Sequence, residues 1–542
     1  VGTSLDEQTF SLSPLSQRPG ESHNLRTSDT RITAICQENA KLEISAEWKH
    51  ATCIKNKLNI DCRPTSYDYI YQIPGIIRQD KYIMHNCAHN EFVGLRNRYL
   101  KHTPNKVTYN ISIVNRVLDE LVGLIKPHWT RKQTLEEFMD GKKGQLYKRY
   151  ADAVRKINKS GFNLNKHSST SAFVKNELYD EIKPPRMIIN RDTRFNLAYG
   201  RYTTELEHCI VKIPQFSKGL NFMGRGKQFN DLVFDESCDI LEGDCSKFEG
   251  TQRPELLAHI EIGIWKRLLD GPEYASILKL FAAKLLKRGF TQNGVKFSFF
   301  GCRGSGDMDT GLFNSILMWI ACRYFEISNG FKWSGCFMVD GDDNVIKVPK
   351  GYTIKDTFAE FGFDAKLILR HDYHDVDYCS GKFIRLNNTS FMYIQNIIKI
   401  INNMSIFRKL KFNHCKADYF HSLGYMYKII YGNIPIYKEF SEFLLRSTKG
   451  SHVKMEILKE LNPMYDEVLR VSNADIEPSE AIRIELCMAF GLNNGIVEHI
   501  QNFYSSGYIN FDGTERRKYR TRNTTRDKLE PMELLKCETL LD

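Results

Sequence analysis

The 14 cysteines of this chain are spread thinly, and no two form a Cys-x-x-Cys pair. That spacing argues against a disulfide framework and fits a reduced, intracellular protein with free thiols. His85, Cys87 and His89 form a His-x-Cys-x-His run without a second half, so no zinc site is expected there. No uninterrupted apolar stretch approaches the ~20 residues that span a bilayer. The best candidate, Gly311 to Ile327, is broken by Asn314, Arg323 and Glu326. No signal peptide is visible, and there is no internal repeat and no low-complexity block apart from the two ends. The first methionine is Met84, which suggests the downstream part of a longer translation product or a shortened form of one.

What is present is globular in character. Over 542 residues, 42% are hydrophobic and 12% aromatic, enough for two to four structural units. There are 76 basic residues against 65 acidic ones, a net charge of +11. That excess favours a polyanionic partner but says nothing about fold.

Along the chain, residues 1–30 are polar and expected to be flexible. Apolar periodicity predicts helices over Val107–Ile125 and Leu135–Ile157, the second containing the basic run Asp140 to Gly144. That run suits a solvated turn as well as a phosphate contact. Phe173 to Arg201 begins as a strand, breaks at Pro184-Pro185, and then sets Arg186, Arg191, Arg194 and Arg201 among apolar residues. Basic side chains at irregular spacing on extended backbone suit a phosphate-lined channel. Asp239 to Gly243 reads as a strand delivering Asp244, and Pro254 to Leu269 as a helix. Ile277 to Leu286 is predicted helical and Gly294 to Phe300 extended. From Ile394 onward helical patterns follow, at Ile397–Ile401, Tyr419–Ile430, Lys438–Leu445 and Ala481–Phe490. Glu515 to Lys528 carries seven basic residues, a solvated tail by default.

Three segments carry chemistry. Val339-Asp340-Gly341-Asp342-Asp343-Asn344 sits between two β-prone runs and reads as a hairpin tip. Adjacent carboxylates there repel, and they make sense around a divalent cation shared with a third acid. Asp244-Cys245-Ser246-Lys247-Phe248-Glu249 supplies such an acid at a strand end, with Glu249 one turn further. In Gly304-Ser305-Gly306-Asp307-Met308-Asp309-Thr310-Gly311-Leu312-Phe313-Asn314, glycines permit a tight loop. Asp307 and Asp309 suit the first turn of a following helix. Thr310 and Asn314, four apart, share one helix face and can read a ribose 2′-OH together with Glu249. Every proposed metal ligand is a hard oxygen, which fits Mg²⁺.

The order Asp-x4-acid, Ser-Gly-x3-Thr-x3-Asn, Gly-Asp-Asp resembles motifs A, B and C of viral RNA-dependent RNA polymerases of tombusvirus-like or nodavirus-like type. Phe173–Glu177 with Pro185–Arg186 and Arg194–Tyr202 resembles motif F, Phe361–Lys366 resembles motif D, and Tyr378–Ser380 resembles motif E. More loosely, His85-Asn86 to Arg98 and Phe138 to Tyr150 are similar to the N-terminal region of these enzymes. The resemblance implies an α+β right-hand fold, with an antiparallel-sheet palm, fingers and a helical thumb. Its domains would be a flexible 1–30, an N-terminal region and fingers at 31–235, and palm at 236–262. A fingers insertion at 263–300, palm at 301–390, thumb at 391–514 and a basic tail at 515–542 would follow. It implies Asp244, Asp342 and Asp343 as ligands of two Mg²⁺ ions, with Mn²⁺ as a substitute. Glu249, Ser305, Thr310 and Asn314 would select ribonucleotides. Lys175, Lys183, Arg186 and Arg191 would line the path of the triphosphate, and Lys366 would protonate pyrophosphate.

Its implied partners are template and product RNA, nucleoside triphosphates, and an upstream or separate viral replication protein supplying membrane attachment. Its implied location is host cytoplasm, at membrane-associated replication complexes. Two positions depart from the pattern. Glu249 replaces the usual Asp and reaches one methylene further. Asp340 adds an acid beside the metals, either behind the ligands or turned into solvent. The rival readings are a reverse-transcriptase-like polymerase and, remotely, a non-enzymatic basic RNA-binding protein; Thr310 and Asn314 argue against the first.

Overall fold

The computed structural model describes residues 81–100, 105–401, 416–461, 479–508 and 528–542, with Ile476 and short strands at 23–24, 32–35, 52–55, 70–72 and 406–408. Most of the flexible segment expected at 1–30 and the basic run up to residue 527 lie outside the described residues.

The chain mixes helix and sheet. At its centre is a four-stranded antiparallel sheet in the order Phe337–Asp340, Asp343–Pro349, Cys238–Cys245, Ala365–Arg370. Alternation accounts for its faces: Leu241 and Ile346 pack with Val348 into the largest core, while Ile240 and Val345 face a second cluster with Phe229 and Phe383. With both faces covered, apolar residues run almost continuously along these strands. The free edge at Phe337–Asp340 is covered by the segment before the helix Phe222–Leu232. Val339 donates to the Gln215 carbonyl, and Ser217 donates to the Val339 carbonyl.

The helix Thr310–Ser328 packs on this sheet and is buried from Leu312 to Glu326. It is buried all round, as a core helix must be. The two charges that break its apolar run tie it down. Arg323 donates to Glu120 at 2.8 Å and to Glu326 at 3.0 Å. Glu326 in turn accepts the backbone N–H groups of Gly335 and Cys336 at 2.8 Å each. No helix among the described residues is long and apolar enough to cross a membrane.

A five-stranded sheet stands beside this core, in the order Thr52–Lys55, Val295–Phe300, Leu286–Thr291, Thr170–Val174, Met187–Arg191. The helix predicted at Ile277–Leu286 runs from Gly271 to Leu285, and Leu286 already begins the strand that pairs with Val295–Phe300. Likewise the predicted Leu135–Ile157 helix is two, Leu135–Asp140 and Gly144–Ser160, because the chain turns through Gly141, Lys142 and Lys143. Thr134 caps the first of them in a reciprocal box with Glu137.

Downstream, the hairpin Gly381–Asn387 with Ser390–Gln395 packs on the helix Phe222–Leu232. The approach is so close that a Cβ on Gly226 would lie 2.0 Å from the Phe391 carbonyl oxygen. Beyond it, helices Lys416–Tyr431, Tyr437–Ser447, Glu480–Phe490 and Asn494–Ser506 enclose a core of their own. The last residues of the stretch expected as a basic tail, 515–542, are packed on the protein. Pro531 opens a helix to Leu541 that packs on Gly144–Ser160 and Leu135–Asp140. Arg201, 2% exposed, pairs there with Glu538 and, at 2.9 Å, with Asp542. Arg201 and Arg194 therefore sit on the helix Thr193–Ile210 and not on extended backbone; Arg194 pairs with Asp192 at 2.6 Å.

Candidate active site

The tip of the hairpin Phe337–Asp340 and Asp343–Pro349 forms because Gly341 adopts a φ of +71°, which side-chain-bearing residues rarely take. The Gly341 N–H donates to the Ser315 hydroxyl at 2.9 Å, tying the tip to the buried helix. Asn344 pairs across with Gly243. Its amide nitrogen donates to the carbonyls of Gly243 and Asp342, both at 3.2 Å. A Cβ on Gly243 would stand 2.6 Å from that amide, so only glycine allows the approach. One step further along the two strands come Asp343 and Asp244. On the other side, Lys366 lies in register with Asp244, and directly opposed residues project from the same sheet face.

The carboxyls at this tip are crowded. Burial, together with the charges of Glu249 and Asp244, pushes Asp342 up to about 6. Burial and the charges of Asp342, Asp244 and Asp340 push Asp343 up to about 7. Their donor chemistry fits a hard divalent cation: carboxylate oxygens in mutual repulsion, beside a strand end carrying a third. Among the described residues, however, no three His, Cys, Asp or Glu side chains are gathered closely enough to hold a metal ion.

Asp340 is partly exposed, and its charge acts on Asp343. It pairs with Arg225 at 2.6 Å, and that guanidinium lies over the Tyr393 ring. Next to it, Cys379 and Ser380 both take positive φ in the two-residue turn between Tyr378 and Gly381. The Cys379 backbone works against that rise, drawing the Asp343 carboxyl down.

The segments Asp244–Glu249 and Gly304–Asn314 meet at Glu249. Arg98 forms an ion pair with its Oε2, and Asn314 approaches its Oε1 with the amide nitrogen at 3.5 Å. Burial raises the Glu249 carboxyl, but Arg98 more than offsets this and holds it below the usual range. Asn314 is itself oriented by Gln252, which donates to its carbonyl oxygen at 2.8 Å. Ser305 accepts hydrogen bonds from Arg98 at 3.1 Å and Tyr99 at 3.0 Å.

Four expected positions sit differently from the sequence reading. The Thr310 hydroxyl is taken up inside its own loop, facing the carbonyls of Gly304 at 2.8 Å and Asp307 at 2.7 Å, so it does not share Asn314's surroundings. Arg191 is 1% exposed and pairs with Asp307 at 2.7 Å, because alternation along Met187–Arg191 turns it inward with Met187 and Ile189. It lines no open path. Asp307 and Asp309 do not serve the following helix. Asp307 also accepts from the Gly304 N–H, and Asp309 meets Lys284, Arg303 and Tyr199 in the interior. Lys175, Lys183 and Arg186 remain on the surface, where Lys175 and Arg186 share Glu177 and Lys183 lies 3.5 Å from Glu181. The positive charge of Arg186 draws the carboxyls of both Asp342 and Glu249 down.

The site sets acids from two adjacent strands beside a Ser-Gly loop and an Asn-bearing helix. Residues 60–510 match the family of viral RNA-dependent RNA polymerases, and the chain belongs to that family. It is 23% identical over 504 residues to the RNA-directed RNA polymerase of Groundnut rosette virus (strain MC1), covering 86% of this chain and 58% of that protein. It is 24% identical over 435 residues to that of Tobacco necrosis virus (strain A), covering 73% and 57%. The enzyme of Cucumber necrosis virus is 22% identical over 466 residues, covering 78% and 54%. The chain thus spans somewhat more than half the length of these relatives.

Proposed function

We propose that this chain is an RNA-directed RNA polymerase that copies a viral RNA template, joining nucleoside triphosphates to an RNA 3′-OH. The observation that carries the reading is the register bringing Asp244 and the Asp342–Asp343 tip to one end of the central sheet. Family membership and the names of the relatives support it. On this reading the central sheet is the palm, the five-stranded sheet belongs to the fingers, and the helices from Lys416 onward form the thumb. Upstream replication protein, membrane attachment and location at cytoplasmic membranes belong to the same proposal.

Asp244, Asp342 and Asp343 would hold two Mg²⁺ ions, with Mn²⁺ as a substitute. Bound there, the ions supply the charge that acidifies the attacking hydroxyl and neutralises the triphosphate. The protein's own groups do the rest. Lys366, on the face shared with Asp244, can give a proton to departing pyrophosphate. Arg186 adds positive charge where the triphosphate would lie. Glu249 and Asn314 present an acceptor and a donor side by side, the pair that a 2′-OH requires.

The test is primer extension on an RNA template with Mg²⁺. Wild type should incorporate NTPs in preference to dNTPs, and Asp342→Asn should lose on the order of a thousandfold or more in rate. A folded Asp342→Asn variant that extends normally would overturn the reading, and equal use of dNTPs would favour the reverse-transcriptase-like alternative.

A further inference from the structure

The five-residue π-helical segment Arg96–Leu100 follows directly on the helix Ala88–Leu95. It lies about 150 residues before motif A and about 206 before the motif B serine, yet it grips both. Arg98 and Tyr99 are consecutive, and both reach Ser305: Arg98 donates to the hydroxyl oxygen through Nε, and Tyr99 through its own hydroxyl. Tyr99 also accepts the Ser305 backbone N–H at 3.1 Å. The Tyr99 ring is fully buried and stacks on Phe299 with centroids 5.0 Å apart, so the segment cannot drift. Its backbone presses against motif A as well. A Cβ on Gly250, next to Glu249, would lie 2.4 Å from the Arg98 carbonyl oxygen.

Glu249 needs such a grip. A glutamate carries one more rotatable bond than an aspartate, and its carboxylate can occupy more positions. Here the two oxygens are divided. Oε2 is held by Arg98, and Oε1 is left toward Asn314. The side chains of Arg98 and Glu249 are 13% and 12% exposed, so water competes weakly for the pair.

We infer that Arg98 is the positioning residue for sugar selection: it fixes the longer acid at motif A so that one oxygen faces the ribose 2′-OH, and it sets the motif B serine by the same side chain. Arg98 acts through Glu249 and Ser305 and does not itself touch the reacting atoms. The proposal rests on the polymerase reading above.

The experiment is single-nucleotide primer extension with the full chain, comparing kcat/KM for an NTP and its 2′-deoxy counterpart. Arg98→Ala should lower the NTP value by about 10- to 100-fold, the scale of a misplaced contact. The dNTP value should change by less than about 3-fold, because a sugar without the hydroxyl cannot lose that contact. Arg98→Lys should recover part of the ratio. Adding Glu249→Asp to Arg98→Ala should cost little more than either change alone, since both loosen one unit. A parallel fall for both nucleotides, or an unchanged ratio in Arg98→Lys and Arg98→Ala alike, would overturn the assignment while leaving the polymerase intact. Extension by Asp342→Asn at the wild-type rate would instead remove the polymerase reading, and this assignment with it.

Discussion

Two groups of charged side chains lie close together in this protein and behave oppositely. At the hairpin tip, Asp342 and Asp343 are half-buried, and both carboxyls are pushed up by burial and by other acids. Behind the motif B loop, Glu261, Asp307 and Asp309 are buried with Arg191, Lys284, Lys287 and Arg303. Burial pushes Asp309 up too, but Lys284 and Arg303 more than reverse it and hold it well below the usual range. Lys287 is pushed down to about 8 by burial, against the pull of Asp307. Arg303 bridges Glu261 at 2.8 Å and Asp309 at 3.2 Å, and donates to Gln252 at 2.9 Å. Gln252 then orients Asn314. Paired charge here is architecture, stiffening the loop that presents Ser305 and Asn314. Unbalanced charge at the tip is a repulsion that a bound cation would relieve.

The comparison can be broken at either end. Asp342→Asn should abolish extension yet leave the thermal midpoint equal to or above wild type in chelator, since a repelling charge has gone; calorimetry beside the extension assay checks this. Lys284→Met should do the reverse to stability. It removes the ammonium that Glu261 and Asp309 share and leaves both acids to Arg303 alone, and urea unfolding should show a loss of about 3–5 kcal/mol. Gly243→Ala should cost about 1–3 kcal/mol, because its methyl must displace the Asn344 amide. Extension should fall with it as the tip shifts.

The smallest effect concerns pH. Between the unfolded value near 4 and the folded values of about 6 and 7, the folded tip binds more protons than the unfolded chain. The contribution of these two acids to stability is therefore largest at low pH and is lost as pH rises through 7. Without divalent cation that loss should be on the order of 1–2 kcal/mol. Mg²⁺ should raise the melting temperature more at pH 8 than at pH 5.5, and Asp342→Asn should flatten the difference.

The site's skeleton was legible because it is local. Asp244 ends an apolar strand, and Asp342-Asp343 follows a glycine between two β-prone runs. Its support was not, because those pairs are distant in sequence. Arg98 meets Glu249 and Ser305 across 151 and 207 residues, and no local pattern announces such a contact. Arg191 is a different case. The alternation Met187, Ile189, Arg191 already places it with two inward residues, and reading the segment by charge alone obscured that. The strand Leu286–Thr291 was hidden by Lys287, Arg288 and Gly289, which look like a loop until Lys287 is seen donating to the Lys284 and Cys302 carbonyls inside the protein. The helix at Pro531 had its signal in a proline at the first turn before an apolar repeat, overshadowed by the basic run preceding it.

The docking of Pro531–Leu541 has a consequence in time. Arg201 is buried against Glu538, which follows it by 337 residues. At synthesis rates of about 5–20 residues per second, these partners emerge roughly 20–70 s apart. Throughout that interval the layer built from Leu135–Asp140, Gly144–Ser160 and Thr193–Ile210 exists without the helix that closes it. The nascent chain then carries an unneutralised guanidinium and an open apolar surface while the central sheet is being made. Completion of this layer is thus a late event in the birth of the protein, set by the pace of the ribosome more than by the speed of folding.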